Sequence, residues 1–106
     1  MKLSDLLYRN EYVLYNDDFP VDSLEVSTVC SDSRRVTPGS LFVCLKGTKT
    51  DGHRFIKEAV DAGAAAVVTE RGAVYELPGG VPVLQVGSTR VAEAFMWSRA
   101  YRSPQN

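Results

Sequence analysis

The 106 residues carry 12 Lys plus Arg against 13 Asp plus Glu, a net charge of -1, with 44% hydrophobic and 24% charged residues. A chain of that length holds one domain with a single modest core, and its near-neutral balance excludes a global field that recruits nucleic acid or an anionic membrane. The opening Met1-Lys2-Leu3-Ser4-Asp5 has no apolar signal-peptide core, and no run approaches the roughly 20 apolar residues of a bilayer span, so the expected location is the cytoplasm.

Leu3, Leu6 and Leu7 fall on one face of a short helix that Ser4 or Asp5 can cap. Tyr12, Val13, Leu14 and Tyr15 either form a strand or cover the core, and Asn16-Asp17-Asp18-Phe19-Pro20 breaks the chain. Leu24, Val26, Thr28 and Cys30 then alternate with Glu25, Ser27, Val29 and Ser31, which predicts a strand with one mostly buried face. Residues 41–45 are apolar without interruption, which predicts burial on both faces and hence a sheet covered by helices. Between these strands, Thr37-Pro38-Gly39-Ser40 suits a type II turn.

Asp51 can cap a helix that carries Phe55, Ile56, Ala59 and Val60 on one side and stops at Gly63. Residues 64–69 return as a buried strand, so residues 41–69 read as one β-α-β unit with a right-handed parallel crossover. Residues 70–80, with Tyr75 and Leu77, predict an edge segment that Pro78-Gly79-Gly80 keeps from being helical. Residues 81–86 supply another strand with Pro82 near its start. Gly87 with Ser88 or Thr89 opens a last helix whose predicted apolar stripe is Val91, Ala94, Phe95, Ser98 and Tyr101, flanked by Trp97. The expected fold is a small α/β domain of three or two layers, with a mixed, partly parallel sheet covered by helices. Residues 1–106 form one domain, and 103–106 read as the start of an interdomain linker.

Cys30 and Cys44 sit beside apolar strand residues with no Cys-x-x-Cys spacing and only His53 as an imidazole, so both are expected as buried, reduced thiols and no metal site is expected. Polar chemistry concentrates at two corners. Ser31 and Ser33 offer hydroxyls after one strand; Gly47 removes steric obstruction after the next, and Thr48 and Thr50 flank Lys49. Such corners can clasp the heterocycle and diphosphate of a nucleotide. The residues alone also allow a plainer account, in which Asp32 fixes a turn, Ser33 caps it, and Arg34 and Arg35 are solvated. In either account the Arg34 fork can hold Asp32, Asp51 or a strand-end carbonyl.

The loop over 47–52 lacks the Gly-x-x-x-x-Gly-Lys-Ser/Thr order that cradles a nucleoside triphosphate, so ATP is not expected here. His53 can pack over that loop or donate to one of its carbonyls, and no nucleophile or orienting partner accompanies it, so no catalytic residue is assigned. Asp17, Asp18, Glu58 and Asp61 read as solvated charges, and Phe55, Phe95 and Trp97 as core or domain-interface residues.

The combination of Ser31-Asp32-Ser33-Arg34, Pro38-Gly39-Ser40-Leu41-Phe42-Val43 and Lys46-Gly47-Thr48-Lys49-Thr50-Asp51-Gly52-His53-Arg54-Phe55 resembles the N-terminal domain of the Mur ligases. Within that family it is most similar to the UDP-N-acetylmuramoyl-tripeptide synthetases. The resemblance continues through Ala59, Gly63-Ala64 and Val81-Pro82-Val83 into the final helix. It implies a domain that holds the UDP end of UDP-N-acetylmuramoyl-L-alanyl-D-glutamate. Ser33, Thr48, Lys49 and Thr50 would touch the uridine diphosphate, with Ser31 and Gly47 close by. Asp32, Arg34, Asp51, Gly52 and His53 would be structural support. It also implies an intact enzyme that uses ATP and Mg²⁺ to activate the D-glutamate carboxylate for attack by meso-diaminopimelate or L-lysine in peptidoglycan synthesis. The ATP loop and acceptor site then belong to central and C-terminal domains absent from this chain, which would be inactive by itself and need no cofactor. Other expected partners are none: no nucleic acid, no membrane, and a monomeric state. Two alternatives stand beside this reading: the N-terminal domain of the D-alanyl-D-alanine-adding Mur ligase, and a structural interaction module without nucleotide binding.

Overall fold

A computed structural model describes residues 2–3, 12–14, 24–45, 51–71 and 80–100. The expectations for Leu6 and Leu7, for residues 15–20, for the segment with Tyr75 and Leu77, for Tyr101 and for the linker at 103–106 lie outside these residues.

The strands are β1 (Tyr12–Leu14), β2 (Val29–Cys30), β3 (Leu41–Val43), β4 (Ala66–Glu70) and β5 (Val83–Val86). They form one sheet in the order β1-β5-β4-β3-β2. The four neighbours β2 to β5 run parallel, and β1 closes the far edge antiparallel to β5, with Leu14 opposite Leu84. This is the mixed, partly parallel sheet that the sequence predicts. The helices are α1 (Ile56–Asp61), between β3 and β4, and α2 (Thr89–Ala100), after β5.

The period-2 alternation of β3 decides the layering. Leu41 and Val43 join Ala66, Val68 and Leu84 against Ala92 and Met96 of α2, whereas Phe42 and Cys44 join Val67 against Ile56 and Ala59 of α1. All four β3-side residues are fully buried, so the uninterrupted apolar run does reflect two covered faces. Of the two layer counts open from sequence, the three-layer arrangement is the one formed. Cys30 and Cys44 are buried free thiols in the α1-side layer, and burial together with the charge of Asp51 pushes the Cys44 thiol far above its ordinary range.

Two glycines join the β2–β3 connection to the end of α1. Gly39, at φ 90°, is the third residue of the type II turn, closed by the Ser40 N–H on the Thr37 carbonyl at 3.0 Å. Gly63, at φ 106°, ends α1 in a Schellman motif: its N–H meets the Val60 carbonyl and the Ala64 N–H meets the Ala59 carbonyl, both at 3.0 Å. The Gly39 N–H then donates to the Gly63 carbonyl at 2.8 Å. A Cβ at Gly63 would lie 2.8 Å from the Pro38 Cα, so turn and helix stop are fitted to each other.

Two sequence expectations need correction. The strand predicted from residue 24 pairs with β3 only at Val29–Cys30: Glu25 makes an isolated antiparallel bridge to Lys2, Ser27 lies at a bend, and Val29 is buried instead of exposed. The stripe predicted for the last helix is also out of phase. Val91 is 66% exposed and Ala94 and Ser98 face outward, while Thr89, Ala92 and Met96 are buried. Apolar residues surround this helix almost completely, so hydropathy alone does not select its buried side.

Candidate functional site

Parallel strands deliver their C-terminal ends to a single edge of the sheet. At that edge lies a hollow of about 610 Å³. Ser31, Asp32, Ser33 and Arg34 line it from the bend after β2, Leu45, Gly52 and Phe55 from the segment after β3, and Arg90 from the start of α2. The carboxyl ends of strands are where open α/β sheets hold ligands. A second recess of about 430 Å³ borders the same bend on the side of Thr28 and Arg35, but it does not reach the segment after β3.

The bend after β2 is a short 3-10 turn, Ser33–Arg35, capped by Asp32. The Asp32 Oδ1 accepts the Arg34 backbone N–H at 3.0 Å, and the Arg34 guanidinium folds back with Nε donating to Oδ1 at 3.1 Å and Nη2 to Oδ2 at 3.0 Å. The Asp32 carbonyl takes the Arg35 N–H at 2.9 Å and the Cys30 thiol at 3.0 Å. Hydrogen bonds from the Arg34 side chain first, and from its backbone second, hold the Asp32 carboxyl below the usual carboxylate range. The Arg34 side chain is 87% exposed, so this is a surface pair despite its forked geometry. Ser31 and Ser33, both half-buried, are thereby set on the wall of the hollow.

The corner after β3 repeats the motif with a different anchor. Asp51 caps a second 3-10 turn, Gly52–Phe55, and its Oδ1 accepts the His53 backbone N–H at 3.0 Å. The same oxygen lies 2.6 Å from the His53 Nδ1. The His53 Nε2 accepts the Glu70 N–H at 3.0 Å, which assigns the ring proton to Nδ1 and directs it at Asp51. His53 is 3% exposed and both ring nitrogens are engaged within the protein, which leaves it no role as a solvent-facing base. The Glu70 carboxylate continues the chain of contacts by accepting the Thr89 N–H and hydroxyl, each at 3.2 Å, at the first residue of α2. Gly52 approaches Leu45 so closely that its N–H donates to the Leu45 carbonyl at 2.7 Å, and a Cβ there would lie 2.9 Å from the Leu45 backbone N and O. The place a side chain would take at Gly52 is thus filled by Leu45, while Gly52 itself lines the hollow.

Of the residues singled out from sequence, Ser31, Asp32, Ser33, Arg34 and Gly52 come together around one hollow, with Asp51 and His53 directly adjoining in the chain. Gly47, Thr48, Lys49 and Thr50 lie outside the described residues. Sequence reasoning missed Leu45, Phe55 and Arg90. Phe55, expected on one helix side with Ile56 and Ala59 as a core or domain-interface residue, is 36% exposed and lines the hollow. It belongs to a 3-10 turn of three residues per turn, so it does not continue the face that α1 presents to the sheet. The signal for Arg90 was its position two residues beyond Ser88, at the opening of a helix that follows a parallel strand.

Among the described residues, no group of three or more His, Cys, Asp or Glu could hold a metal ion, and no helix is long and apolar enough to cross a membrane. Residues 25–101 match the family described as "Mur ligase family, catalytic domain". The chain belongs to the Mur ligase family. Among curated Mur ligases, the UDP-N-acetylmuramoyl-L-alanyl-D-glutamate--2,6-diaminopimelate ligase of Chlorobium phaeobacteroides is 45% identical over 94 residues, 89% of this chain and 17% of that protein. The ligase of the same name from Alkaliphilus metalliredigens is 37% identical over 106 residues, 98% of this chain and 20% of that protein. A solved structure, the UDP-N-acetylmuramoylalanyl-D-glutamyl-2,6-diaminopimelate--D-alanyl-D-alanyl ligase from Acinetobacter baumannii, superposes with a TM-score of 0.71 at 26% identity, over 86% of this chain and 19% of that one. This Mur ligase chain thus spans about a fifth of the length of such relatives.

Proposed function

We propose that this chain binds the UDP end of UDP-N-acetylmuramoyl-L-alanyl-D-glutamate, as the non-catalytic N-terminal domain of the tripeptide synthetase that adds meso-diaminopimelate or L-lysine to a peptidoglycan precursor in the cytoplasm. The observation that carries this reading is the hollow that the Ser31–Ser33 wall shares with Gly52 and Phe55 of the corner after β3, which sets hydroxyl donors at the carboxyl edge of the parallel strands. The names of the curated relatives support the choice of precursor.

In this reading Ser31 and Ser33 donate to the nucleotide, and Gly47, Thr48, Lys49 and Thr50 are the further contacts that the family resemblance implies. Asp32 with Arg34, and Asp51 with His53, hold the two corners. ATP and Mg²⁺, which the family uses, do not fit the residues described: no metal-holding group is found among them, and the sequence has no glycine-lysine triphosphate loop. Phosphoryl transfer and amide formation are therefore assigned to the rest of the full-length ligase, with no step on this chain.

The likeness to the D-alanyl-D-alanyl ligase structure favours a second reading, in which the chain serves that later step. The higher identity to diaminopimelate ligases weighs against it. Titration with UDP and with UDP-N-acetylmuramoyl-L-alanyl-D-glutamate, followed by backbone amide NMR, tests binding itself. Shifts are expected at Ser31, Ser33 and Gly52, and Ser33→Ala should weaken binding with Tm unchanged. An unperturbed spectrum at millimolar ligand would overturn the reading in favour of a structural interaction module.

A further inference from the structure

Glu70 ends β4 and is bonded to two walls of the hollow without lining it. Its backbone N–H donates to the His53 Nε2 at 3.0 Å, and through His53 and Asp51 it reaches the 3-10 turn that brings Gly52 and Phe55 to the hollow. Its carboxylate Oε1 accepts both the N–H and the hydroxyl of Thr89, each at 3.2 Å, and Thr89 opens the helix that brings Arg90 to the same hollow. Thr89 is fully buried, so neither donor has water to turn to once the carboxylate is gone. The Ser88 hydroxyl, which precedes the helix, serves the Val91 N–H at 3.4 Å, so the first N–H of α2 is capped by a side chain 19 residues back in the chain. The helices α1 and α2 pack on opposite faces of the sheet and share no apolar layer. Glu70 gives the turns that open them one common polar anchor.

We propose that Glu70 is a positioning residue of the ligand site: it holds the corner after β3 and the first turn of α2 at a fixed separation across the hollow, with Thr89 as its receiver on the helix, and touches no ligand itself. This inference rests on the UDP-binding reading and adds to it a residue that acts through others. Its sign is distinctive. A nucleoside diphosphate is an anion, so loss of a neighbouring carboxylate should tighten its binding through charge alone. A fall in affinity therefore reports lost position.

The test measures UDP affinity by calorimetry, Tm, and amide hydrogen exchange by NMR for the unaltered chain, Glu70→Ala, Glu70→Gln and Thr89→Val. Leu14→Ala, on the far-edge strand β1 and outside the lining of the hollow, is the control for lost stability alone. Glu70→Ala should bind UDP about tenfold more weakly. Its residue-89 amide should exchange faster while the residue-70 amide stays protected, because the His53 acceptor is untouched. Glu70→Gln keeps an acceptor oxygen at the same reach and should hold affinity at or above that of the parent. Thr89→Val removes one of the two donors and should fall between the parent and Glu70→Ala. Leu14→Ala should lower Tm yet bind UDP as the parent does well below that temperature. If Glu70→Ala does not fold, Thr89→Val against Thr89→Ser makes the same comparison, with Val expected weaker and Ser unaltered. Affinity unchanged or raised in Glu70→Ala, Glu70→Gln as weak as Glu70→Ala, or Thr89→Val equal to Thr89→Ser would overturn the positioning role and leave the nucleotide reading standing. A parent chain that binds no UDP at millimolar concentration would overturn both.

Discussion

The corners after β2 and β3 use the same local device and are secured in opposite ways. In each, an aspartate caps a 3-10 turn by accepting the N–H two residues on, at 3.0 Å: Asp32 from Arg34, and Asp51 from His53. The side chain of that second residue then returns to the aspartate. At the first corner it is an exposed guanidinium, and the contact closes within three residues. At the second it is a buried imidazole whose other nitrogen reaches Glu70, 17 positions along the chain. A local Asx-type turn can therefore be ordered by the surface or welded to the sheet, depending only on whether its second residue has somewhere inside to go. The first corner closes on itself at the surface; the second is anchored in the core through His53.

That contrast predicts a ranking of effects. His53→Ala should be the most damaging, because it opens a cavity, removes the ring contact to Asp51 and takes the acceptor from the Glu70 N–H; a loss of about 3 kcal/mol is expected in urea unfolding. A cost no larger than that of Asp32→Ala would break the comparison. Gly52→Ala should follow at roughly 2 kcal/mol, since its new methyl meets Leu45 backbone that cannot yield as a side chain can, and UDP affinity should fall with Tm. Asp51→Ala should cost about 1–2 kcal/mol for the lost cap, measured the same way. Arg34→Ala, at the exposed corner, should leave Tm where it was and, in the ligand-free chain, appear as a local change in the amide spectrum of residues 31–35.

The smallest effect is that of acid on the first corner. Because the folded-state pKa of Asp32 lies below its usual 3.8, its contribution is present above that value and is lost as pH falls through the depressed one. The Arg34 amide shift should accordingly stay constant from pH 7 to 5 and titrate only below 3.8. A midpoint at or above the ordinary aspartate value would show that the pair does not persist in solution. High salt should move that midpoint upward, because the pair is exposed to counterions.

Particular residues show where sequence reasoning succeeds. Gly39 after Pro38 and Gly63 after an apolar helix are signals of local conformation, and both occupy the left-handed region for the reasons their neighbours announce. Leu41 to Cys44 announce a doubly covered strand by composition alone. Phe55 and Val91 show where it fails. The first is displaced from the core by a change of helical pitch that no periodicity reveals in four residues, and the second by a helix with too little polar contrast to choose a face. The site divides along the same line. Ser31 to Arg34 and the Asp-Gly-His corner stand out as polar clusters, whereas Arg90 belongs to a segment whose only local message is helix.

What the sequence by itself determined are features decided within a few residues: turns, caps, the helix stop, the buried strands and the two polar corners. Only the tertiary structure decided that the bend after β2, the corner after β3 and the first turn of α2 border one hollow. The physical reason is that parallel pairing carries widely separated strand ends to one edge, and that Glu70 ties both helix-opening turns to the end of β4 through backbone and side chain at once. Neither a periodicity nor a turn signal encodes a contact whose partners lie so far apart along the chain.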